Sequence, residues 1–284
     1  MTIAVSGSDG FVGRHVCQCL KEMGYMIVPL DIIDGKDMCN PAIIDEVPEV
    51  DCFIHLANLV YVPASYQNPV RFYSVNYLST LHALEICRRC CAKFIYVSSY
   101  IYGAPQFLPV SEEHPVNPFN PYAQTKMICE KLCEGYNRDF NIKTSIVRPF
   151  NIYGYGQKGR LLIPEIITQL KERKKHIQLK AGSPRRDYIH VADLAKAICT
   201  CINDPSEYSV YNVCSGKSIS VKEITEVINS NLKEKVIFDF SESDRPNEVD
   251  ETMGSYSKIE KQLGWTPSIS FEEGIKQMIK LEEL

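Results

Sequence analysis

The chain has 284 residues, enough to bury a substantial core as one large domain or two closely joined ones. A formal charge of −4 and a pI near 5.9, with no basic stripe, argue against a nucleic-acid partner and leave room for a small anionic ligand held by local arginines. No apolar run is long enough to span a bilayer, and the first residues are strand-like with no basic leader region, so a cytoplasmic protein without a membrane partner is expected.

In chain order, residues 2–6 form a short apolar run that ends in Gly7-Ser-Asp-Gly10-Phe-Val-Gly13. An amphipathic segment follows to Met23, then a second apolar run from Met26 to Leu30 that closes on Asp31. Strand, glycine turn, helix, strand and acid is the order of a dinucleotide-binding βαβ unit. In that unit Gly7 permits the turn, Gly10 lets backbone N–H groups approach a pyrophosphate, and Gly13 lets the helix pack on the strand. A carboxylate at Asp31 can hold both hydroxyls of an adenosine ribose and would repel a 2′-phosphate. No Arg follows in Ile32-Ile33-Asp34, so the sequence favours NAD over NADP.

The chain continues with a short helical piece around Pro41 to Val47, a strand from Cys52 to Ala57, a long predicted helix from Tyr66 to Arg89, and a strand from Phe94 to Val97 running into Ser98. Asn120 before Pro121 is a predicted N-cap, and the helix it starts puts Tyr122 and Lys126 four residues apart on one face. An ammonium beside a phenol favours phenolate. Lowering a Tyr pKa by about three units takes on the order of 4 kcal/mol, within reach of one ammonium plus a cationic cofactor in a partly dry site. A strand from Thr144 to Val147 then leads into Arg148-Pro-Phe-Asn151. Alternating strands and helices predict an α/β fold with a doubly wound parallel sheet, whose strand ends carry the ligands. Beyond residue 150 the pattern loosens, with Arg186-Asp-Tyr-Ile-His190 leading into a predicted helix from Val191 to Ile202, a strand near Tyr211, a helix from Ser220 to Asn231, and Arg245-Pro246 in a loop-rich tail.

The twelve cysteines lie mostly within apolar helix-like or strand-like segments. Cys87-Arg-Arg-Cys90 has ligand spacing but lacks a second Cys/His pair at zinc-site distance, so no metal is expected and the thiols read as reduced, buried, small hydrophobes.

Taken together, the glycine turn, the His55-Leu-Ala57 strand end, Ser98 with Tyr-Gly after it, Tyr122 with Lys126, Arg148-Pro-Phe-Asn151, Arg186-Asp-Tyr-Ile-His190 and Arg245-Pro246 resemble the extended short-chain dehydrogenase/reductases, specifically the nucleotide-sugar epimerase/dehydratase branch. The resemblance covers nearly the whole chain and implies a Rossmann domain over residues 1–153, rejoined by a segment near 186–214, with a smaller substrate-binding lobe making up most of 154–284. It implies Tyr122 as general acid/base, Lys126 as the group that holds the nicotinamide ribose and lowers the Tyr pKa, and Ser98 as hydrogen-bond partner of the reacting sugar oxygen, with Ser99 as fallback. Cofactor contacts are expected from Gly7, Asp9, Gly10, Phe11, Val12, Gly13, Asp31, Asp37, Met38, Leu56, Ala57, Asn76, Tyr122 and Lys126. Substrate contacts are expected from Ser99, from Asn151, and from Arg186 and Arg245, whose guanidinium forks suit a diphosphate. His55 and His190 lie in apolar runs and read as structural.

The implied activity is NAD-dependent epimerisation at C4 of a nucleotide-diphosphate hexose carrying UDP, GDP, dTDP or CDP. The alternative is NAD(P)H-dependent reduction of a 4-keto-6-deoxy sugar, which the short Asp31 to Asp51 connection favours. A 4,6-dehydratase is disfavoured because Ser99 and Tyr100 stand where dehydratases of this kind carry an Asp-Glu pair. A non-catalytic NAD-binding protein would have no need of Ser98, Tyr122 and Lys126 together. The resemblance also implies a homodimer formed through the helices at 66–89 and 120–138.

Overall fold

The computed structural model describes residues 1–159, 161–241 and 249–284. Its first half alternates strand and helix: β1 (Thr2–Ser6), α1 (Phe11–Glu22), β2 (Met26–Leu30), α2 (Ile43–Glu46), β3 (Cys52–His55), α3 (Val62–Gln67), α4 (Pro69–Cys90), β4 (Lys93–Val97), α5 (Pro121–Phe140) and β5 (Thr144–Pro149). The second half holds β6 (Asn151–Tyr153), α6 (Leu162–Lys171), β7 (His176–Leu179), β8 (Arg185–His190), α7 (Val191–Thr200), β9 (Tyr208–Val213), β10 (Ser218–Ser220), α8 (Val221–Asn231), β11 (Ile237–Phe240), α9 (Ser257–Leu263) and α10 (Phe271–Leu281).

Six parallel strands form the main sheet in the order β2-β1-β3-β4-β5-β9. A parallel sheet must be covered on both faces by its crossover helices, so its inner strands read as continuous apolar runs. β3 is buried at every position, and one apolar cluster lies on each side of the sheet. The cluster under α1 and α7 contains Val16, Leu194 and Ile198; the other, under α4 and α5, contains Leu84, Cys129 and Cys133. β2 is an edge strand and can therefore hold Pro29 without breaking an interior ladder. The register pairs Ser6 with His55, His55 with Tyr96, and Tyr96 with Ile146. The carboxyl ends of β1, β3, β4 and β5 consequently finish along one edge of the sheet, where ligands bind in open α/β folds.

The remaining elements pack at that edge. β10, β8 and β6 form a three-stranded sheet, β11 pairs with β7, and α6, α8 and α10 close over a third cluster built on Ile166, Ile224, Ile275 and Met278. The chain passes between the two layers: β8 belongs to the small sheet, whereas β9 returns to the main sheet beside β5.

Several predicted boundaries differ. The helix expected over 66–89 is two helices, because Pro69 cannot continue a helix from behind. It starts a new one, whose N-cap Asn68 accepts a hydrogen bond from the Arg71 N–H at 3.2 Å. The helix expected to reach Ile202 ends at Thr200 and tightens into a 3₁₀ turn over Cys201–Asn203. The strand expected through Ala57 stops at His55, and Leu56 and Ala57 already belong to the loop at the sheet edge. Among the described residues no helix is long and apolar enough to cross a membrane. All twelve cysteines are free thiols, and Cys52, Cys87, Cys129 and Cys133 pack within the two main clusters.

Candidate active site

The glycine turn is built by close backbone approach. Gly7 has φ +71°, a left-handed conformation that costs glycine little, and a Cβ on Gly13 would stand 2.0 Å from the Gly7 carbonyl oxygen. The Gly10 N–H donates to Gly7 O at 3.1 Å, and Gly10 is the N-cap of α1, which has no side-chain cap and no acid in its first turn. The first amides of α1 are thus left to a ligand, and the helix dipole favours an anionic one. At the end of β2 the buried Asp31 accepts from the Asp9 N–H at 3.0 Å and the Ile33 N–H at 3.2 Å, tying the acid to the turn. Ile32 and Ile33, 70% and 77% exposed, stand beside it with no cationic side chain between them. This turn, the amides behind it and the carboxylate 22 residues from Asp9 fit a dinucleotide whose adenosine ribose carries free hydroxyls.

A cavity of about 400 Å³ opens in front of the turn. Of the expected residues it gathers Gly7, Gly10, Phe11, Val12, Gly13, Leu56, Ser98, Ser99, Tyr122, Lys126 and Asn151 on one wall or another. Asp9, Asp31, Asp37, Met38, Ala57 and Asn76 are not in that lining. Asp37 accepts from the Cys39 N–H at 2.8 Å, and the Met38 carbonyl accepts from His82 Nδ1 at 2.8 Å. Asn76 is buried with its carboxamide fully engaged: Oδ1 accepts from the Leu59 N–H at 2.7 Å, and Nδ2 donates to Leu59 O at 3.1 Å and Thr125 Oγ1 at 2.8 Å. It shapes the loop after β3 from beneath rather than facing the cavity. Ala57 closes against the turn, its N 3.0 Å from where a Cβ on Gly7 would be.

The catalytic candidates sit where α5 begins. Asn120 caps the helix by accepting from the Ala123 N–H at 2.8 Å, and Tyr122 and Lys126 follow on the buried face. Ser98 is anchored by its N–H to Val147 O at 2.8 Å, while its hydroxyl is buried with no hydrogen-bond partner among the described residues, an orphan that a ligand oxygen would satisfy. Ser99 shares a hydrogen bond with the Tyr122 hydroxyl.

Electrostatics differ from the sequence expectation. Burial pushes the Tyr122 phenol up to about 12, with the Ser99 hydrogen bond pulling the other way. Burial likewise pulls the Lys126 ammonium down to about 8, opposed by Cys129, Glu130 and Cys133 on its own helix. The helical spacing that suggested an ammonium beside the phenol is real, but Lys126 Nζ turns to Asn58 Oδ1 at 2.5 Å and Val97 O at 2.8 Å. The chain's own groups therefore do not depress the phenol, and that part of the effect falls to whatever positive charge binds beside it.

The substrate candidates are distributed. Asn151 begins β6 and donates to Asp187 O at 3.1 Å. Arg186 on β8 lies outside the cavity lining, and its Nη1 donates to Arg185 O at 2.8 Å and Asp250 O at 3.4 Å. Arg245 lies outside the described residues. Tyr100 donates to Gly103 O at 2.7 Å, and burial raises its phenol, so it stands ready neither as acid nor as base.

Several residues of the site escape a motif reading. Asn58 and Gln157 line the cavity without belonging to any motif, and Asn58 could have been suspected only as the residue directly after the His55-Leu-Ala57 strand end. Val60 and Leu161, which also line it, come from the two loops, Val60 to Ser65 and Leu161 to Pro164, that the sequence offers as walls of a sugar pocket. His55 is buried, with Nδ1 2.7 Å from Ser6 Oγ and Nε2 3.2 Å from Thr80 Oγ1, and burial lowers its pKa to about 3. His190 caps α7, its Nδ1 accepting from the Ala192 N–H at 3.3 Å. Both histidines brace strand ends at the sheet edge.

A family model described as GDP-mannose 4,6 dehydratase matches residues 26–278. A protein of Methanocaldococcus jannaschii described as a putative UDP-glucose 4-epimerase is 33% identical, covering 98% of this chain and 97% of its own. A GDP-6-deoxy-D-mannose reductase of Pseudomonas aeruginosa is 30% identical over 97% of this chain and 95% of that protein. Among solved structures, the UDP-glucose 4-epimerase of Bifidobacterium longum in complex with NAD+ and UDP superposes with a TM-score of 0.90 at 25% identity, covering 100% of this chain and 98% of that one.

Proposed function

The chain belongs to the nucleotide-sugar epimerase/dehydratase family of extended short-chain dehydrogenase/reductases, and from that membership we propose that it is an NAD-dependent epimerase acting at C4 of a nucleotide-diphosphate hexose. The observation that carries this reading is that Ser98, Ser99, Tyr122 and Lys126 face the same cavity as the glycine turn, so a carbinol carbon can lie between a proton acceptor and a dinucleotide. The glycine turn and the α1 amides would hold the pyrophosphate of NAD, Asp31 its adenosine ribose, and Lys126 its second ribose. Bound there, NAD supplies a hydride acceptor that can also return the hydride.

The chain's own residues do the rest. The Ser98 hydroxyl, lacking a hydrogen-bond partner among the described residues, donates to the reacting sugar oxygen and fixes it near Tyr122. The Tyr122 oxygen takes the sugar hydroxyl proton as the C4–H bond breaks and gives it back when the C4–H bond re-forms on the other face. Ser99 donates to the phenolate, and a positive charge bound beside it would favour it, while Lys126, turned to Asn58 and Val97, keeps its ammonium at the cavity wall. Asn151 and Arg186 stand on adjacent strands of the small sheet, where they can meet the diphosphate. Elimination at C5–C6 would need a further acid and base. Ser99 and a Tyr100 whose proton is spent on Gly103 O do not provide them, which argues against a dehydratase.

One observation favours a second reading, a reductase of a nucleotide-diphosphate 4-keto-6-deoxyhexose: β2 and β3 are joined compactly through a 3₁₀ turn and the four-residue α2, and one relative at 30% identity is described as a GDP-6-deoxy-D-mannose reductase. Two measurements separate the readings. The epimerase releases NAD when freshly purified protein is denatured, and it interconverts C4 epimers from a panel of UDP, GDP, dTDP and CDP hexoses without added cofactor. Stoichiometric consumption of NADH or NADPH with a 4-keto sugar would install the reductase instead, and no turnover with any member would sink both.

The reading includes a homodimer. Tyr77 and Leu78 of α4 and Ile128 of α5 are exposed around an apolar groove of about 440 Å³, the face through which the helix pair would meet its copy. Sedimentation equilibrium should then return twice 32.3 kDa, and a monomer at micromolar concentration would remove this element.

A further inference from the structure

The Lys126 side chain is held from a direction that its helix does not predict. Its buried Nζ donates to two neutral acceptors, Val97 O on β4 at 2.8 Å and Asn58 Oδ1 on the loop after β3 at 2.5 Å, and it lies 4.9 Å from the centre of the Tyr96 ring. The Asn58 carboxamide cannot turn over. Its Nδ2 donates to Ala57 O at 2.6 Å and Ser79 Oγ at 3.1 Å and lies 3.2 Å from His55 Nε2, while Oδ1 also accepts from the Tyr96 hydroxyl at 3.2 Å. A flipped amide would set oxygen against oxygen at Ala57 and N–H against the ammonium. We propose that Asn58 is a positioning residue for the reaction, its carboxamide oxygen fixing the Lys126 ammonium at the cavity wall and keeping it charged while Tyr122 exchanges its proton. The inference rests on the reading of Tyr122 and Lys126 as the acid–base pair.

The electrostatic surroundings show why a neutral acceptor matters. The titratable groups acting on Lys126 are Cys129, Glu130 and Cys133 on α5, Tyr96 on β4 and His55 on β3, and Tyr122 lines the same cavity. His55 is held neutral by burial, and the Glu130 carboxylate is committed to Arg148, with Nε at 2.9 Å and Nη2 at 2.5 Å. Burial works against the ammonium, and its direct hydrogen-bond partners are Asn58 and Val97. Hydrogen bonds to a charged group are worth more than those between neutral groups, so removing one acceptor from a desolvated ammonium lowers its pKa by about 1 to 2 units.

The test is a direct titration of Lys126 Nζ by ¹⁵N-lysine NMR in full-length protein without sugar, the resonance being assigned by its loss in Lys126→Met. In Asn58→Leu, which keeps volume but removes the acceptor, the midpoint should fall by about 1 to 2 units, and the alkaline limb of kcat should move down with it. In Asn58→Ala, which removes the acceptor without adding bulk or setting oxygen against the Ala57 carbonyl, the midpoint should also fall; this variant covers the case in which Asn58→Leu fails to fold. Thermal melts establish folding of each. Midpoints within about 0.3 units of the parent in the folded variants would overturn the proposal. Because the titration needs no substrate, it reads the Asn58 to Lys126 contact even if the reaction proves to be another.

Discussion

Replacing Arg148 by Met should separate α5 from the sheet more damagingly than any cavity it leaves. Arg148, on β5, reaches Glu130 on α5 through two guanidinium hydrogen bonds, and both side chains are 7% exposed. Its Nη1 donates to the Tyr102 hydroxyl at 2.8 Å, which donates in turn to Asn212 Oδ1 at 2.7 Å. Burial opposes the Arg148 charge, yet Glu130 and Tyr102 together hold it above an ordinary guanidinium. Arg148→Met strands a carboxylate in a dry site, and breaking a buried pair in this way costs about 3–5 kcal/mol. At roughly 2–4 °C per kcal/mol for a domain near this size, the melting temperature should drop by about 10 °C. The double variant Arg148→Met/Glu130→Leu removes both charges and should recover to within about 1–2 kcal/mol of the parent, because a buried pair gains little over a packed apolar one. Urea unfolding of the parent, both single variants and the double variant gives the coupling energy, expected above about 2 kcal/mol. Single-variant losses below about 1 kcal/mol that simply add in the double would refute this account of how the helix carrying Tyr122 and Lys126 is held.

Gly13→Ala puts a methyl group 2.0 Å from the Gly7 carbonyl, so the turn must open. Overpacking costs of about 1–3 kcal/mol should appear as a roughly 5- to 150-fold loss of NAD affinity by calorimetry, and unchanged affinity would contradict the turn's role. His55 carries a folded pKa of about 3 because burial disfavours its cation. The unfolded chain takes up that proton as pH falls below about 6.5 while the folded chain does not, so stability present above pH 6.5 drains away on acidification. Between pH 6.5 and 5 the loss from this residue is about 2 kcal/mol, and His55→Gln should flatten the pH dependence of the melting temperature by that much. Tyr122→Phe should lower kcat by roughly 10²- to 10⁴-fold with the melting temperature nearly unchanged, since the hydroxyl gives up one hydrogen bond, to Ser99, among the described residues. A variant retaining most of the parent's kcat would exclude Tyr122 as the proton carrier.

Much of the fold was legible because its signals are local. The glycine turn, Asp31 and the Asn120 cap each need only a few consecutive residues, and the strand–helix alternation placed the sheet and its ligand edge. The single helix expected over 66–89 failed on an equally local signal, Asn68-Pro69, which should have been read as a stop and a start. The site's walls were harder. Asn58, Phe150 and Gln157 reach the cavity only because β3, β5 and the chain beyond β6 end at one sheet edge, and no spacing encodes that convergence. The phenol's surroundings are equally non-local. An i,i+4 pair fixes which face two side chains share, but Tyr122 is buried and Lys126 turns to Asn58 and Val97, so desolvation dominates. The partner of Arg148 was equally hidden, being 18 residues away on a different element.

The fate of deuterium at C4 tests the epimerase reading most directly. A nucleotide-diphosphate hexose labelled there, incubated with the purified protein in ordinary water and followed by NMR, should give a C4 epimer that keeps its deuterium on C4. Hydride leaves and returns within one closed site, while the Tyr122 proton exchanges only at oxygen. Replacement of the label by solvent hydrogen, or its transfer to an added nicotinamide cofactor with no epimer formed, would contradict that account.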